Sequence, residues 1–376
     1  MEVLAFASYP VEAAATRYRL EQFVGPLAER GIRLRVRPFL DSRLFGSLYK
    51  RGELPRKALG VMGSALRRVG DVLAARGADV ILVQREAMMI GPPLFEWLAM
   101  RVGKCPLVLD LDDATYVSYT SPTYGRLGSA LKWFSKTDDL IRWAQVVTCG
   151  NRSIAEYVES KGSRAVIIPT VVDTERFRPR ARLADEGRKG PPVLGWIGTH
   201  STFPYLEMIF PALQELARTH SFRLKVIGAG RERVRLPGVE VESLSWNLAR
   251  EIEDFQSFDI GLYPIDAKLY ADQWAAGKSG FKAIQYMSVG VPYVVTPIAA
   301  CKEIGEPGRT HLFAQTDEEW REALKRLLAD AELRRRMGEA GRQHALAHYT
   351  VPVQADKLAQ ALREAEKQVG KMKAEG

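Results

Sequence analysis

A chain of 376 residues, 46% hydrophobic and 26% charged, has the composition of a globular protein and more length than one domain usually takes, so two domains are expected. No apolar run approaches the roughly 18 residues of a membrane span, and the longest, such as ADVILVQ and PYVVTPIAAC, are strand-sized, so a helical membrane protein is excluded. The cysteines Cys105, Cys149 and Cys301 are far apart and odd in number; they offer neither a disulfide framework nor a zinc motif and read as buried thiols.

The opening MEVLAFASYP begins directly on a strand-like run without the basic flank and cleavage site of a signal peptide, so a cytoplasmic protein is expected. AAATRYRL follows, placing Thr16, Arg17 and Arg19 beside the loop of the first strand, where they can meet an anionic acceptor. From Arg43 to Arg76 eight basic residues stand against Glu53 and Asp71, a concentration of the chain's net charge of +9. Within it Leu59, Met62, Leu66, Val69 and Leu73 recur at helical spacing, with Arg56, Lys57, Arg67 and Arg68 off that stripe. This pattern predicts a helix docked on a sheet with a solvated basic face, or a basic surface drawn to anionic lipid head groups or a phosphorylated acceptor. Nucleic acid is not an expected partner, because no aromatic-interleaved basic motif accompanies the charge.

Short β-branched runs, EVLAFA, IRLRVRPF, DVILVQ, PLVLDLDD, QVVTCG and RAVIIP, alternate with amphipathic stretches, which argues for a largely parallel α/β sheet. A second series runs through PVLGWIGTH, RLKVIGAG, VEVESLSW, DIGLYPI, PYVVTPI and THLFAQ. Between them RPRARLADEGRKGPP, residues 178–192, has the polar, Pro- and Gly-rich character of a linker. The expected organisation is therefore two α/β domains, 1–184 and 185–352, and a C-terminal segment 353–376 whose charged helix packs back across the hinge. Ligands in open parallel sheets bind at the carboxyl ends of the strands, so a cleft with a site on each wall is expected. HALAH sets His344 and His348 one helical turn apart but lacks a zincin's glutamate, and no metal site is expected.

Four stretches could carry chemistry. DLDDATY crowds Asp110, Asp112 and Asp113 at a strand end; such crowding needs a cation, a proton or a cationic partner, with capping of a following helix by Asp113 as the competing role. GWIGTHSTFPYL ends a strand at Gly198 and places Thr199 and His200 in the loop before a helix that Ser201 or Thr202 can cap, a junction whose free N–H groups suit phosphate. VIGAGRER lacks the third dinucleotide-fingerprint glycine, since Arg233 stands there; a tight turn with Arg231 and Arg233 at a strand end remains, where a cation can meet a diphosphate. In GKSGFKAIQYMSVGVPYVVTP, Gly280 permits close backbone approach and a helix N-terminus with Lys278 or Lys282 favours anions.

The run VIIPTVVDTERFRP, Val166 to Pro179, resembles the inter-domain signature of the nucleotide-sugar glycosyltransferases of the large retaining family four, which have the GT-B fold of two Rossmann-like domains facing across a cleft. GWIGTH, the stretch from Trp246 to Ile265 and GFKAIQYMSVGVPYVVTP fall in the family's order. The resemblance implies a sugar transferred with retention from a nucleotide-diphosphate sugar to a hydroxyl of a glycan or lipid-linked acceptor in cell-surface polysaccharide or glycolipid synthesis. The nucleotide sugar is then a co-substrate, and no cofactor is expected. Gly198, Thr199, His200, Lys278, Gly280 and Phe281 would line the donor site, with Arg231 and Lys282 offsetting charge on the leaving diphosphate and Gln285 at the ribose. Tyr286 and Met287 would be packing residues.

Two departures stand out. Where the family commonly has two glutamates, this chain has Gly277 and Gln285, with Asp272, Gln273 or Trp274 as substitutes for the first. Where it often has a histidine, this chain has Asp112, to orient an acceptor hydroxyl or stabilise a cationic sugar; Arg85, Glu86 and Arg17 would line the acceptor side. A sugar-nucleotide epimerase or hydrolase on the same fold, and a weakly catalytic scaffold subunit, are the alternative readings.

Overall fold

The computed structural model describes residues 1–48, 52–118, 125–180, 190–266 and 277–374. It forms two compact units, one of Met1–Thr170, Gly277–Ser279 and Val351–Gly376, the other of Val171–Ala276 and Gly280–Thr350. The chain first passes between them at Thr170 and Val171, ahead of the polar run 178–192, of which 181–189 lie outside the described residues. Contacts rather than polarity set this position: Arg342 donates to the carbonyls of Thr174 at 2.9 Å and Phe177 at 2.8 Å, tying the stretch after Val171 into the second unit.

The first unit holds a six-stranded parallel sheet of β1 Glu2–Ala7, β2 Arg33–Pro38, β3 Val80–Gln84, β4 Leu107–Leu111, β5 Val146–Cys149 and β6 Ala165–Ile167, in the order β2-β1-β3-β4-β5-β6. β3, β4 and β5 are buried along their whole length, which is why they read as unbroken apolar runs rather than alternating ones. The long C-terminal helix Val351–Ala374 belongs to this unit, burying Ala355, Leu358, Ala359 and Leu362 while Asp356 meets Arg30 at 2.7 Å and Glu364 pairs with Arg164.

The second unit repeats the architecture with β7 Val193–Ile197, β8 Arg223–Ile227, β9 Glu240–Leu244, β10 Ile260–Tyr263, β11 Tyr293–Val295 and β12 His311–Phe313, again all parallel, in the order β12-β11-β10-β7-β8-β9. Tyr286 is fully buried on this sheet and its hydroxyl donates to the Leu262 carbonyl at 3.0 Å. It lies on Gly261, where a Cβ would come within 2.6 Å of the ring. The three cysteines are buried thiols outside any disulfide.

The helix Leu54–Ala74 departs from expectation. Its inward face is Lys57, Ser64, Arg68 and Val72, and the apolar stripe Leu59, Met62, Leu66, Val69 and Leu73 points outward. Gly60 helps this close packing: a Cβ there would sit 3.0 Å from the Leu44 side chain, which would have to shift slightly. Arg68, 1% exposed, donates to the carbonyls of Arg37 at 2.9 Å and Ala7 at 3.0 Å, pairs with Asp71 at 3.2 Å and lies 4.7 Å over the Phe6 ring. Burial pulls its pKa down to about 10, still charged at neutral pH. Burying a large apolar side chain contributes about 1.5–3 kcal/mol, so this orientation forgoes several kcal/mol of hydrophobic stabilisation.

Candidate functional site

Each sheet reverses its strand order once, at β1/β3 in the first unit and β7/β10 in the second. The crevice outside the carboxyl ends of the strands at such a reversal is where open α/β sheets bind ligands, because the loops on either side diverge there.

At the first reversal, Ser8 after β1 donates to the Glu86 carbonyl after β3 at 2.9 Å. Arg85 between them has a left-handed backbone, φ 63°, held by its N–H donating to the Asp110 carbonyl at 2.8 Å. A non-glycine residue in this region costs on the order of 1–3 kcal/mol, and the return is a guanidinium aimed along the strand ends. Arg85 Nε and Nη2 donate to the two oxygens of Asp112 at 2.5 and 2.6 Å, and Nη2 reaches Asp113 at 2.8 Å. Gln84 adds a third donor to Asp112 at 3.2 Å. Burial alone would push the Asp112 carboxyl up, but the charge and hydrogen bonds of Arg85 outweigh it and hold the group below its usual range. A carboxylate so held is a poor proton acceptor and a fixed negative charge. It can receive a hydroxyl's hydrogen bond or face a cation, but it is not suited to general-base work.

The neighbouring carboxylate is also compensated. Asp110 takes a guanidinium fork from Arg19, 3% exposed, and a hydrogen bond from Thr148 Oγ1 at 2.6 Å. Arg19 also donates to the Ile168 carbonyl at 2.5 Å, so it is committed to the interior rather than to an acceptor. Glu86 pairs with Lys136 at 2.7 Å and Lys132 at 3.5 Å. Arg17 donates to the carbonyls of Val11 at 3.3 Å and Glu12 at 3.1 Å within its own loop. Residues 114–118, directly after Asp113, form a turn and not a helix, so its capping role falls away in favour of the pairing with Arg85. Carboxylate crowding is thus accounted for by Arg19 and Arg85. Arg85, Glu86 and Asp112 gather at one edge, and Arg17 turns away.

The second reversal is built from backbone. Gly198 after β7 donates its N–H to the Ile227 carbonyl at 2.9 Å, and Thr199 N–H is taken by Thr202 Oγ1 at 3.0 Å, so Thr202 closes the loop rather than capping the helix Phe203–Met208. Gly228 after β8 has φ +79°, and a Cβ there would lie 2.3 Å from the Gly198 carbonyl oxygen, so only glycine lets the two loops meet. Gly230 packs on exposed His200 in the same way, at 2.6 Å for a built Cβ. Arg231 turns outward, pairing with Glu207 at 3.0 Å and lying 4.7 Å over Phe203.

Gly280, φ +65°, is the N-cap of the helix Phe281–Ser288 and, as glycine, supplies no side-chain cap, while its carbonyl takes the Ala283 N–H at 3.0 Å. Phe281 and Lys282 are half-buried, and Lys282 Nζ lies 6.0 Å from the ring of Tyr263 at the end of β10, on the reversal. Gln285 is 4% exposed in that helix. Lys278 groups with the first unit, where its carbonyl takes a hydrogen bond from Asn151 Nδ2 at 3.0 Å. Asp272, Gln273 and Trp274 lie outside the described residues. The buried partners Arg19, Thr148 and Lys136 are not singled out by sequence reasoning as parts of this constellation; a long-range pairing leaves no local periodicity to read.

Residues 210–360 match the model of the Glycosyl transferase-like family. No curated protein matches the chain. Among solved structures, sucrose-phosphate synthase from Thermosynechococcus elongatus is similar at a TM-score of 0.69 and 15% identity, covering 97% of this chain and 98% of the other. HepE of Anabaena, solved with UDP-glucose, is similar at 0.67 and 15% identity, covering 96% and 99%. A protein described as a UDP-N-acetylglucosamine 2-epimerase, from Listeria monocytogenes, is similar at 0.58 and 13% identity, covering 98% and 97%. The chain has the GT-B fold, and that fold together with the match over residues 210–360 supports a glycosyltransferase.

Proposed function

We propose that the protein transfers a sugar, with retention, from a nucleotide-diphosphate-sugar donor held by the second unit to a hydroxyl of a glycan or lipid-linked acceptor at the first, in cell-surface polysaccharide or glycolipid synthesis. The observation that carries this reading is the family match over 210–360, which includes the Gly228–Arg231 turn and the Gly280–Gln285 helix start. HepE, solved with UDP-glucose on a similar fold, supports a uridine nucleotide as the first donor to try.

In the proposed reaction the bond from the anomeric carbon to the β-phosphate oxygen breaks, a bond to the acceptor oxygen forms on the same face, and the acceptor proton passes to the departing diphosphate. The Gly198 and Gly228 loops admit the phosphates closely, and the N-terminus of the helix after Gly280 with Lys282 offsets the charge that develops on them. Arg231 joins them by exchanging Glu207 for a phosphate. Asp112, kept ionised by Arg85, orients the acceptor hydroxyl or faces the positive sugar ring. Gln285 meets the ribose without a charge-assisted bond.

The test is a calorimetry and thermal-shift panel of UDP, GDP, ADP and their common sugars, since a ligand of the folded state raises apparent stability by mass action. One nucleotide family should bind, weakened by Lys282→Ala, and product analysis should show a new glycosidic bond. Binding followed only by epimer or free sugar would move the assignment to an epimerase or hydrolase. Binding without any turnover would indicate a scaffold subunit.

A further inference from the structure

We propose that the outward face of the Leu54–Ala74 helix docks on an anionic lipid bilayer, with Leu59, Met62, Leu66, Val69 and Leu73 entering the interface. These side chains are 49% to 70% exposed. At about 100° per residue they occupy an arc of roughly 80°, opposite the buried Lys57, Ser64, Arg68 and Val72, so they form one continuous stripe along the 21-residue helix. A stripe of this length exceeds the scattered apolar exposure normal for a protein surface and marks a binding face.

The charge beside it selects the occupant. Arg56 and Arg67 line one side of the stripe with side chains 67% and 55% exposed; Glu53 and Asp41 pair with them at 3.3 and 3.4 Å, and the eight basic residues of segment 43–76 against Glu53 and Asp71 still leave this region net positive. The nearest acidic residue of the helix, Asp71, is turned inward to Arg68 and Arg37. An apolar stripe rimmed by arginines matches a bilayer interface with anionic head groups, where the stripe meets acyl chains and the arginines meet phosphates. The adjoining helix Leu94–Gly103 extends the same chemistry: Leu94 and Trp97 are 50% and 40% exposed, and Arg101 stacks 5.1 Å over Trp97, an aromatic and basic pair suited to the head-group level. A second copy of the chain fits less well, because a two-fold contact would set the same arginine rim against itself. The docking face differs from the basic face expected of the segment, since Lys57 and Arg68 point inward.

Cosedimentation of the full chain with phosphatidylcholine vesicles, and with equimolar phosphatidylcholine and phosphatidylglycerol, tests this. The parent protein should bind the mixed vesicles and not the neutral ones. Met62→Glu with Leu66→Glu should weaken binding at least ~10-fold with an unchanged melting temperature, because both positions are exposed. Arg56→Glu with Arg67→Glu should weaken it at low salt, the difference shrinking as salt screens the rim. No binding of the parent, or equal binding of the stripe variant, overturns the proposal. So does a parent dimer in solution that Leu66→Glu converts to monomer, which would assign the stripe to self-association. Nucleotide binding is read separately in all variants, so failure here leaves the transfer reading standing.

Discussion

The two sheets are both six-stranded and parallel but have opposite chemistry at their carboxyl edges. The first is populated by ionised side chains that satisfy one another: Arg19 with Asp110, Arg85 with Asp112 and Asp113, Lys136 with Glu86. The second is lined by glycines, Gly198, Gly228, Gly230 and Gly280, with the loops in contact through backbone. An edge of charges locked in pairs presents fixed electrostatics to a neutral, hydroxyl-bearing ligand. An edge of glycines leaves room for a bulky anion to approach closely, which is why the donor is proposed there.

The largest expected effect breaks the first edge. Arg19→Ala leaves Asp110 buried without its counter-charge and should cost about 3–5 kcal/mol in urea unfolding, whereas Arg19→Met with Asp110→Leu should recover most of the loss. The next separates the units by pH. His311 of the second unit is fully buried against Thr310 and Tyr293, and burial, helped by His344, brings its pKa from 6.5 down to about 4. A neutral histidine in the fold and a protonatable one in the unfolded chain mean that stability is intact above pH 6.5 and declines as pH falls toward 4, by roughly 3 kcal/mol. His311→Phe should flatten that slope.

Gly228→Ala should follow, at roughly 1–3 kcal/mol, because its φ is positive and the new Cβ meets a carbonyl oxygen. Its nucleotide affinity should fall as well, whereas a glycine change remote from the edge should leave affinity alone. Lys282→Ala should cost about 10-fold in nucleotide affinity, roughly 1.4 kcal/mol, with little change in melting temperature. The narrowest pH window belongs to Asp112. Its folded pKa is depressed, so its contribution is present above the unfolded value of about 3.9 and is lost as pH falls through the lower folded one. Asp112→Asn should remove that acid-side loss while leaving the decline governed by His311 in place.

Much of the fold was readable because it is local. β-branched runs bounded by glycine predict strands, and their alternation with helices predicts parallel sheets, as observed. In the candidate site, the Gly198, Gly228 and Gly280 turns were legible because a tight strand-to-helix turn demands glycine in the chain itself. The partners of the carboxylates were not: Arg19 meets Asp110 from 91 residues away, and Lys136 meets Glu86 from 50, distances over which no periodicity signals contact.

The amino-acid sequence by itself therefore determined the kinds of elements, their order and which side chains share each helix face, since backbone geometry imposes those periods. Only the tertiary structure decided which face is buried. On the Leu54–Ala74 helix the periodicity is clear, yet carbonyls of Arg37 and Ala7, the Phe6 ring and Leu44 receive the face bearing Arg68 and Gly60, and the apolar stripe is left outside. Burial depends on what distant segments bring to the helix, and a pattern within one segment carries no record of it.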